Sequence, residues 1–186
     1  MSSLFLYWFS MKRQVLIIII IGIISATTFG CISHSSTSNI SYSKRVETDI
    51  IVISIVESLK DNAKKNSTVT NLSATYEGNK TATVNYTFSD TIMNESGTVL
   101  YKIQRFNSIT EAKEFTNISS VGYTKLSIAS NDSVQRNYVK AARHEPKVSV
   151  LFIKLQYSPP EEDLIVQIDD VVIMGAIKIS NLDFGT

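Results

Sequence analysis

Three apolar runs near the end of the chain decide its fold class, and they read Val148-Ser-Val-Leu-Phe-Ile-Lys-Leu-Gln-Tyr157, Leu164-Ile-Val-Gln-Ile168 and Val171-Val-Ile-Met-Gly-Ala-Ile-Lys-Ile179. Their lengths are typical of strands, and β-branched side chains are frequent in them. The first run is apolar on both faces at its centre, which predicts a central strand of a sheet. Asp169-Asp170 separates the other two, which predicts a tight hairpin.

Three further strands are predicted upstream of these runs. Apolar and polar residues alternate over residues 72–76 and 82–88, on either side of the turn Glu77-Gly-Asn-Lys80. This pattern predicts a β-hairpin. A second turn at Asn94-Glu-Ser-Gly97 precedes a predicted strand over residues 98–106.

Two helices are predicted from spacing and capping. Residues 46–65 carry apolar side chains at the i, i+3 and i+4 spacing of an amphipathic helix. Ser108-Ile-Thr-Glu111 is a capping box, in which the serine hydroxyl accepts from the Glu111 N–H and the glutamate side chain reaches back. Residues 123–129 predict a strand, whereas residues 138–142 fit either a strand or a helix.

The resulting order is a helix, three strands, a second helix and a run of four or five strands. Short connections favour a mainly antiparallel sheet. Helices on one face of such a sheet form a two-layer α+β sandwich. We therefore predict one α+β domain over residues 46–182, with two helices packed on one face of the sheet and a short tail over residues 183–186.

The first 30 residues predict a membrane-targeting segment. Lys12 and Arg13 precede an apolar run over residues 15–24, and small and polar residues follow. This is the pattern of a signal peptide. The alternative is a retained transmembrane helix, because no Asp, Glu, Lys or Arg lies between Arg13 and Lys44. Both interpretations place the folded domain outside the cytoplasm, with the basic residues inside.

The stretch Thr28-Phe-Gly-Cys31 at the end of this segment resembles the lipobox of prokaryotic lipoproteins. In that family the cysteine carries the lipid and becomes the new N-terminus. The resemblance implies removal of residues 1–30, lipid attachment at Cys31 and anchoring to the membrane. A retained helix and plain secretion remain the alternatives. The Ser-rich residues 31–45 predict a flexible tether between the anchor and the domain.

Eight of the 12 asparagines lie in Asn-x-Ser/Thr motifs, which mark N-glycan acceptors on the surface of exported proteins. Isoleucine is also twice as frequent as leucine, 24 against 11. Together with the lipobox-like stretch, these features resemble a surface lipoprotein of an archaeon. We expect turn positions and the open sheet face to expose the acceptors. The candidate acceptors are Asn39, Asn66, Asn71, Asn79, Asn85, Asn94, Asn117 and Asn131.

Composition argues against several functional classes. The chain has 18 Lys and Arg residues and 17 Asp and Glu residues. Because basic residues are not in excess, the composition argues against a nucleic-acid partner. A single Cys excludes an internal disulfide and a Cys-rich zinc site. His144 is the only histidine of the predicted domain, and its turn position predicts a solvated side chain. The acidic residues of Glu161–Asp163 and Asp169–Asp170 are interpreted as solvated turns rather than calcium ligands.

We therefore predict a non-enzymatic, membrane-anchored extracytoplasmic domain, without catalytic residues, metal ligands or a cofactor. Its partners would be the membrane, through the N-terminal segment or a lipid on Cys31, and an unidentified protein or component of the cell envelope. The alternative is an accessory subunit of a membrane transporter or enzyme, or an enzyme whose site is built from dispersed residues.

Overall fold

The computed structural model describes residues 48–90, 95–127, 133–157 and 160–182. Within these ranges the chain forms three helices and one seven-stranded sheet in which every strand pair is antiparallel. The elements are α1 (Ile50–Asn66), β1 (Thr68–Glu77), β2 (Thr81–Asp90), β3 (Glu95–Arg105), α2 (Ile109–Ser119), β4 (Thr124–Ser127), α3 (Ser133–Ala142), β5 (Ser149–Tyr157), β6 (Pro160–Ile168) and β7 (Val171–Leu182).

The strands lie in the order β1-β2-β3-β7-β6-β5-β4, so the last strand of the chain occupies the centre of the sheet. The predicted hairpin through Asp169-Asp170 is confirmed, because Ile168 pairs with Val171. The prediction of residues 148–157 as the central strand is wrong, since β5 is second from one edge. Its two-sided apolar pattern arises because Ile153 is buried on one face and Phe152 packs on the other.

The alternation of side chains along β7 divides the core into two faces. Val171 and Ile173 pack with residues of α1 and α3 on the first face. Val172 and Met174 pack with Ala112 of α2 on the second face. The predicted two-layer arrangement, with two helices on one face, is therefore wrong. A third helix forms over the residues that fitted either a strand or a helix, and α2 crosses to the opposite side of the sheet.

Local signals explain where α1 and α2 begin. The Asp49 side chain caps α1 by accepting from the Ile51 N–H at 2.9 Å. The predicted capping box of α2 is present, since the Glu111 N–H donates to Ser108 Oγ at 3.2 Å. The Glu111 carboxylate accepts from the Asn107 N–H at 3.1 Å, one residue before the cap. Both caps satisfy N–H groups that have no partner inside the helix.

One part of the sheet is left without a helix from the described residues. Since α2 packs on β6 and β7, the second face of β1, β2 and β3 is open. We call this surface the open face. Its side chains are mostly hydroxyl-bearing or polar, with a single large apolar residue, and they are Ser73, Thr75, Thr83, Asn85, Thr87, Thr98, Leu100 and Lys102.

None of the three helices in the described ranges is both long enough and apolar enough to span a membrane. The predicted targeting segment over residues 1–30, the predicted tether over residues 31–45 and the tail over residues 183–186 lie outside the described residues. Of the predicted turn at Asn94–Gly97, only Asn94 lies outside the described residues. The other three residues belong to β3, so the turn prediction is wrong for them. The predicted β1–β2 hairpin is confirmed.

Because apolar side chains are buried on both faces of the sheet, we expect both clusters to contribute to the stability of the domain. Ile173 on the first face and Ile165 on the second are each 2 % exposed. We expect Ile173→Ala and Ile165→Ala each to lower the free energy of unfolding by about 2–5 kcal/mol. Ile118→Ala, at a position that is 77 % exposed, should change it by less than about 0.5 kcal/mol. Urea denaturation is the measurement, and wild-type stability in Ile165→Ala would contradict a core on the second face.

Candidate functional site at the β6–β7 turn

Six polar residues from four regions of the chain meet at one end of the sheet, and we call them the polar cluster. Strand pairing explains part of this arrangement, because Arg105 at the end of β3 pairs with Val171, next to the β6–β7 turn. The other members come from the N-cap of α1 and from α3 and the residues just after it. The cluster consists of Asp49, Arg105, Tyr138, His144, Asp169 and Asp170.

Arg105 forms the centre of one half of the cluster. Its Nε donates to Asp170 Oδ2 at 2.8 Å, and a terminal nitrogen donates to Asp49 Oδ2 at 2.5 Å. Burial alone would lower the pKa of Arg105, but its hydrogen bonds and attraction to Asp170 and Asp49 outweigh that effect and raise it. Since Asp49 also caps α1, one guanidinium connects the start of this helix to β3 and to the β6–β7 turn.

Tyr138, His144 and Asp169 form the other half. The Tyr138 hydroxyl donates to Asp169 Oδ2 at 3.2 Å, and His144 Nε2 lies 3.0 Å from the same oxygen. The Lys147 N–H donates to Asp169 Oδ1 at 3.1 Å. The Asp169 side chain is 4 % exposed, whereas the His144 ring is half exposed. A buried carboxylate therefore has three hydrogen-bond partners, and one of them is a half-exposed imidazole.

The turn itself has an unusual backbone. Asp169 has φ +53°, in the left-handed region that aspartate tolerates better than most residues. Its N–H donates to the Val148 carbonyl at 2.8 Å, and its own carbonyl accepts from Gln167 Nε2 at 3.0 Å. Every polar group of Asp169 thus has a partner, which offsets the cost of burying it.

The charges in the cluster set its protonation states. The hydrogen bond to Asp169, followed by the contact with the Ala142 carbonyl, raises the pKa of His144. Burial, followed by the charges of Asp169 and Asp170, raises the pKa of Tyr138, so the phenol keeps its proton at neutral pH. The arrangement can therefore hold a proton on a half-exposed imidazole beside a buried carboxylate. No group of three or more His, Cys, Asp or Glu in the described ranges could hold a metal ion.

Sequence reasoning missed this cluster. The interpretation of Asp169 as part of a solvated acidic turn is wrong, because the residue is 3 % exposed. Glu161–Asp163, given the same interpretation, lie within β6. The prediction of a solvated His144 is correct in part, since its ring is half exposed but both ring nitrogens have hydrogen-bond partners. The only local signal is the Asp169-Asp170 pair between two apolar strands, since the partners come from distant parts of the chain.

The structure describes the side chains of four of the predicted glycan acceptors. Asn79 lies in the β1–β2 turn, Asn71 and Asn85 lie on strands, and Asn117 lies on α2, and all four are exposed. Asn66 ends α1, and nothing is described of its side chain. The sites that lie outside the described residues are Cys31, Asn39, Asn94 and Asn131.

Two of these acceptor motifs are brought into contact. The Ser73 hydroxyl, which belongs to the motif of Asn71, donates to Asn85 Oδ1. The pairing of Ser73 with Asn85 in the β1–β2 register places them side by side. Asn71 itself lies at an irregularity between Thr70 and Ser73, with φ +54°. The Asn79 carbonyl accepts from the Asp49 N–H at 2.8 Å, so this acceptor lies beside the polar cluster.

The raised pKa of His144 predicts that the free energy of unfolding depends on pH. Its pKa in the folded state is raised above the unfolded value of about 6.5. The stabilisation of the folded state by protonated His144 beside Asp169 is therefore complete below pH ~6.5 and is lost as the pH rises through the folded pKa. We expect the loss of unfolding free energy in His144→Gln to be larger at pH 5.5 than at pH 9, as measured by urea denaturation.

The matched control is His34→Gln, because His34 is the other histidine of the chain and lies in the predicted tether. This variant should match the wild type at both pH values. An equal loss in His144→Gln at pH 5.5 and pH 9 would show that the His144–Asp169 contact does not depend on protonation of the ring.

Compared with known proteins, the chain matches no protein-family model, no curated protein and no solved structure.

Proposed function

We propose that this chain is a membrane-anchored extracytoplasmic domain with a non-enzymatic role in binding or in the cell envelope. One structural observation carries the proposal. All four glycan acceptors with described side chains, Asn71, Asn79, Asn85 and Asn117, are exposed, and they lie on four different elements or turns. An acceptor can carry a glycan only if it projects into solvent, so the fold is compatible with modification at each of them.

The N-terminal sequence supports the same proposal. Lys12 and Arg13, the apolar run after them and the lipobox-like Gly30-Cys31 are the parts of an export and lipidation signal. Removal of residues 1–30 leaves 18 − 2 = 16 basic and 17 acidic residues, a net charge of −1. A nearly neutral domain exerts little long-range attraction on charged partners, so its contacts would be short-range ones.

The second candidate is an accessory subunit or an enzyme with a site built from dispersed residues. One observation favours it: Tyr138 and His144, which lie on and just after α3, share hydrogen bonds with Asp169 of the β6–β7 turn, and the His144 ring is half exposed. Perturbed titratable groups at a surface are candidates for proton transfer. The same contacts also stabilise the β6–β7 turn, and for this reason we rank the candidate second.

The anchor gives the direct test of the proposal. In membranes from the native host, we expect wild-type protein to begin at Cys31 and to carry additional mass from a lipid, as measured by intact-mass spectrometry. Cys31→Ser should appear in the medium or as an uncleaved precursor, because the lipid attachment atom is absent. Ser36→Ala in the predicted tether is the control and should behave as the wild type.

Two outcomes would contradict the proposal at different levels. A membrane-bound chain that begins at Met1 or Met11 and carries no lipid would exclude lipidation and leave a transmembrane anchor. Recovery of the full-length chain in the cytoplasmic fraction would exclude both anchors and the extracytoplasmic location.

A further inference from the structure

We propose that Asn85 is an N-glycosylation site and that its glycan covers the open face of β1, β2 and β3. This inference rests on the proposed function, because it requires an exported domain. It goes further by naming one acceptor that is modified and by assigning an occupant to an uncovered sheet surface.

The alternation of β2 places the whole acceptor motif on the open face. Val84, before Asn85, is fully buried, and Tyr86, after it, packs against the core on the first face. Asn85 and Thr87 therefore both project to the opposite side, as successive side chains of a strand do. The acceptor amide and the hydroxyl that defines the motif thus share one surface, and Asn85 is exposed on it.

The neighbouring strand orients the acceptor amide. Ser73 donates its hydroxyl hydrogen to Asn85 Oδ1. An N-linked glycan is attached to Nδ2 and leaves Oδ1 free to accept this hydrogen bond. The contact therefore remains compatible with the modified side chain, and it directs Nδ2 away from β1.

The same contact distinguishes Asn85 from Asn71. The hydroxyl of the Asn71 motif belongs to Ser73, which is already bonded to Asn85. Asn71 also has a left-handed backbone at the irregularity of edge strand β1, so its motif departs from an extended conformation. The Asn85 motif lies in regular strand pairing with β3 over its whole length.

Leu100 marks the surface that the glycan would cover. It is the direct partner of Asn85 in the β2–β3 register and is 48 % exposed on an otherwise polar face. Directly paired side chains lie about 4.5–5.5 Å apart at their Cβ atoms. The first sugar on Asn85 would therefore lie beside Leu100, and its C–H groups can cover that apolar side chain.

The modification is a glycosyl transfer from a sugar whose anomeric carbon carries a phosphate or diphosphate leaving group. A bond forms between Asn85 Nδ2 and the anomeric carbon while the bond from that carbon to the phosphate oxygen breaks. The leaving phosphate takes the electron pair, and one amide proton passes to a base of the transferase. The host supplies both the donor and the transferase.

Glycopeptide mapping of the full chain, purified from native membranes, tests the site. We expect wild type and Thr87→Ser, which keeps the motif, to carry sugar on the Asn85 peptide. Thr87→Ala, which retains Asn85 but removes the motif, should lose that sugar completely. An unmodified Asn85 in wild type would overturn the inference, whether or not another acceptor is modified. If the chain in the same preparation is anchored to the membrane, an unmodified Asn85 contradicts the glycan inference alone and not the proposed function.

Acylation of lysines by a bulky amine reagent tests the coverage. Lys102 lies on the open face and is exposed, and Lys140 lies on α3, on the other side of the sheet. We expect Lys102 to react several-fold more slowly in the glycosylated Thr87→Ser protein than in Thr87→Ala, and Lys140 to react equally in both. Equal rates at Lys102 would show that the glycan leaves the open face uncovered.

Discussion

The position of β7 between β3 and β6 is the constraint on which the rest of the structure depends. The strand is buried on both faces, with Val171 and Val172 fully inaccessible. It pairs with β3 on one side and with β6 on the other. Without it, each half of the sheet would have an unpaired edge strand there. Gly175 shows how tightly side chains of the two flanking strands pack over β7, because a Cβ there would lie 2.8 Å from both a Tyr101 ring carbon and Leu164 Cγ. Any larger residue would push these neighbours aside.

The same strand also determines where the polar residues meet. Its hairpin with β6 creates the turn at Asp169-Asp170, and its register with β3 brings Arg105 beside that turn. Asp49 then connects α1 to the turn through Arg105, and Tyr138 connects α3 to it. The polar cluster is therefore a consequence of the sheet topology. The open face is another consequence, because α2 covers only the β6–β7 side of the second face.

Patterns that act over a few residues were predictable from the sequence. Local spacing predicted the hairpin that turns at Gly78 and the hairpin that turns at Asp169. It also predicted the capping box at Ser108 and the outward direction of Asn85. Strand order did not follow, because β5 and β7 are both apolar on two faces and no local signal ranks them. The side on which α2 packs is likewise set by tertiary contacts. The polar cluster was missed for the same reason, since Arg105 and Asp170 are 65 residues apart.

Amide hydrogen exchange under native conditions tests the central position of β7 most directly. Amides of a strand that holds two halves of a sheet together should exchange only through global unfolding. We expect residues 171–177 to have the slowest-exchanging amides of the domain, with an opening free energy equal to the free energy of unfolding in urea. Amides of the short edge strand β4 should exchange faster. If the amides of β7 exchange as fast as those of β4, with an opening free energy well below that of global unfolding, β7 does not hold the two halves of the sheet together.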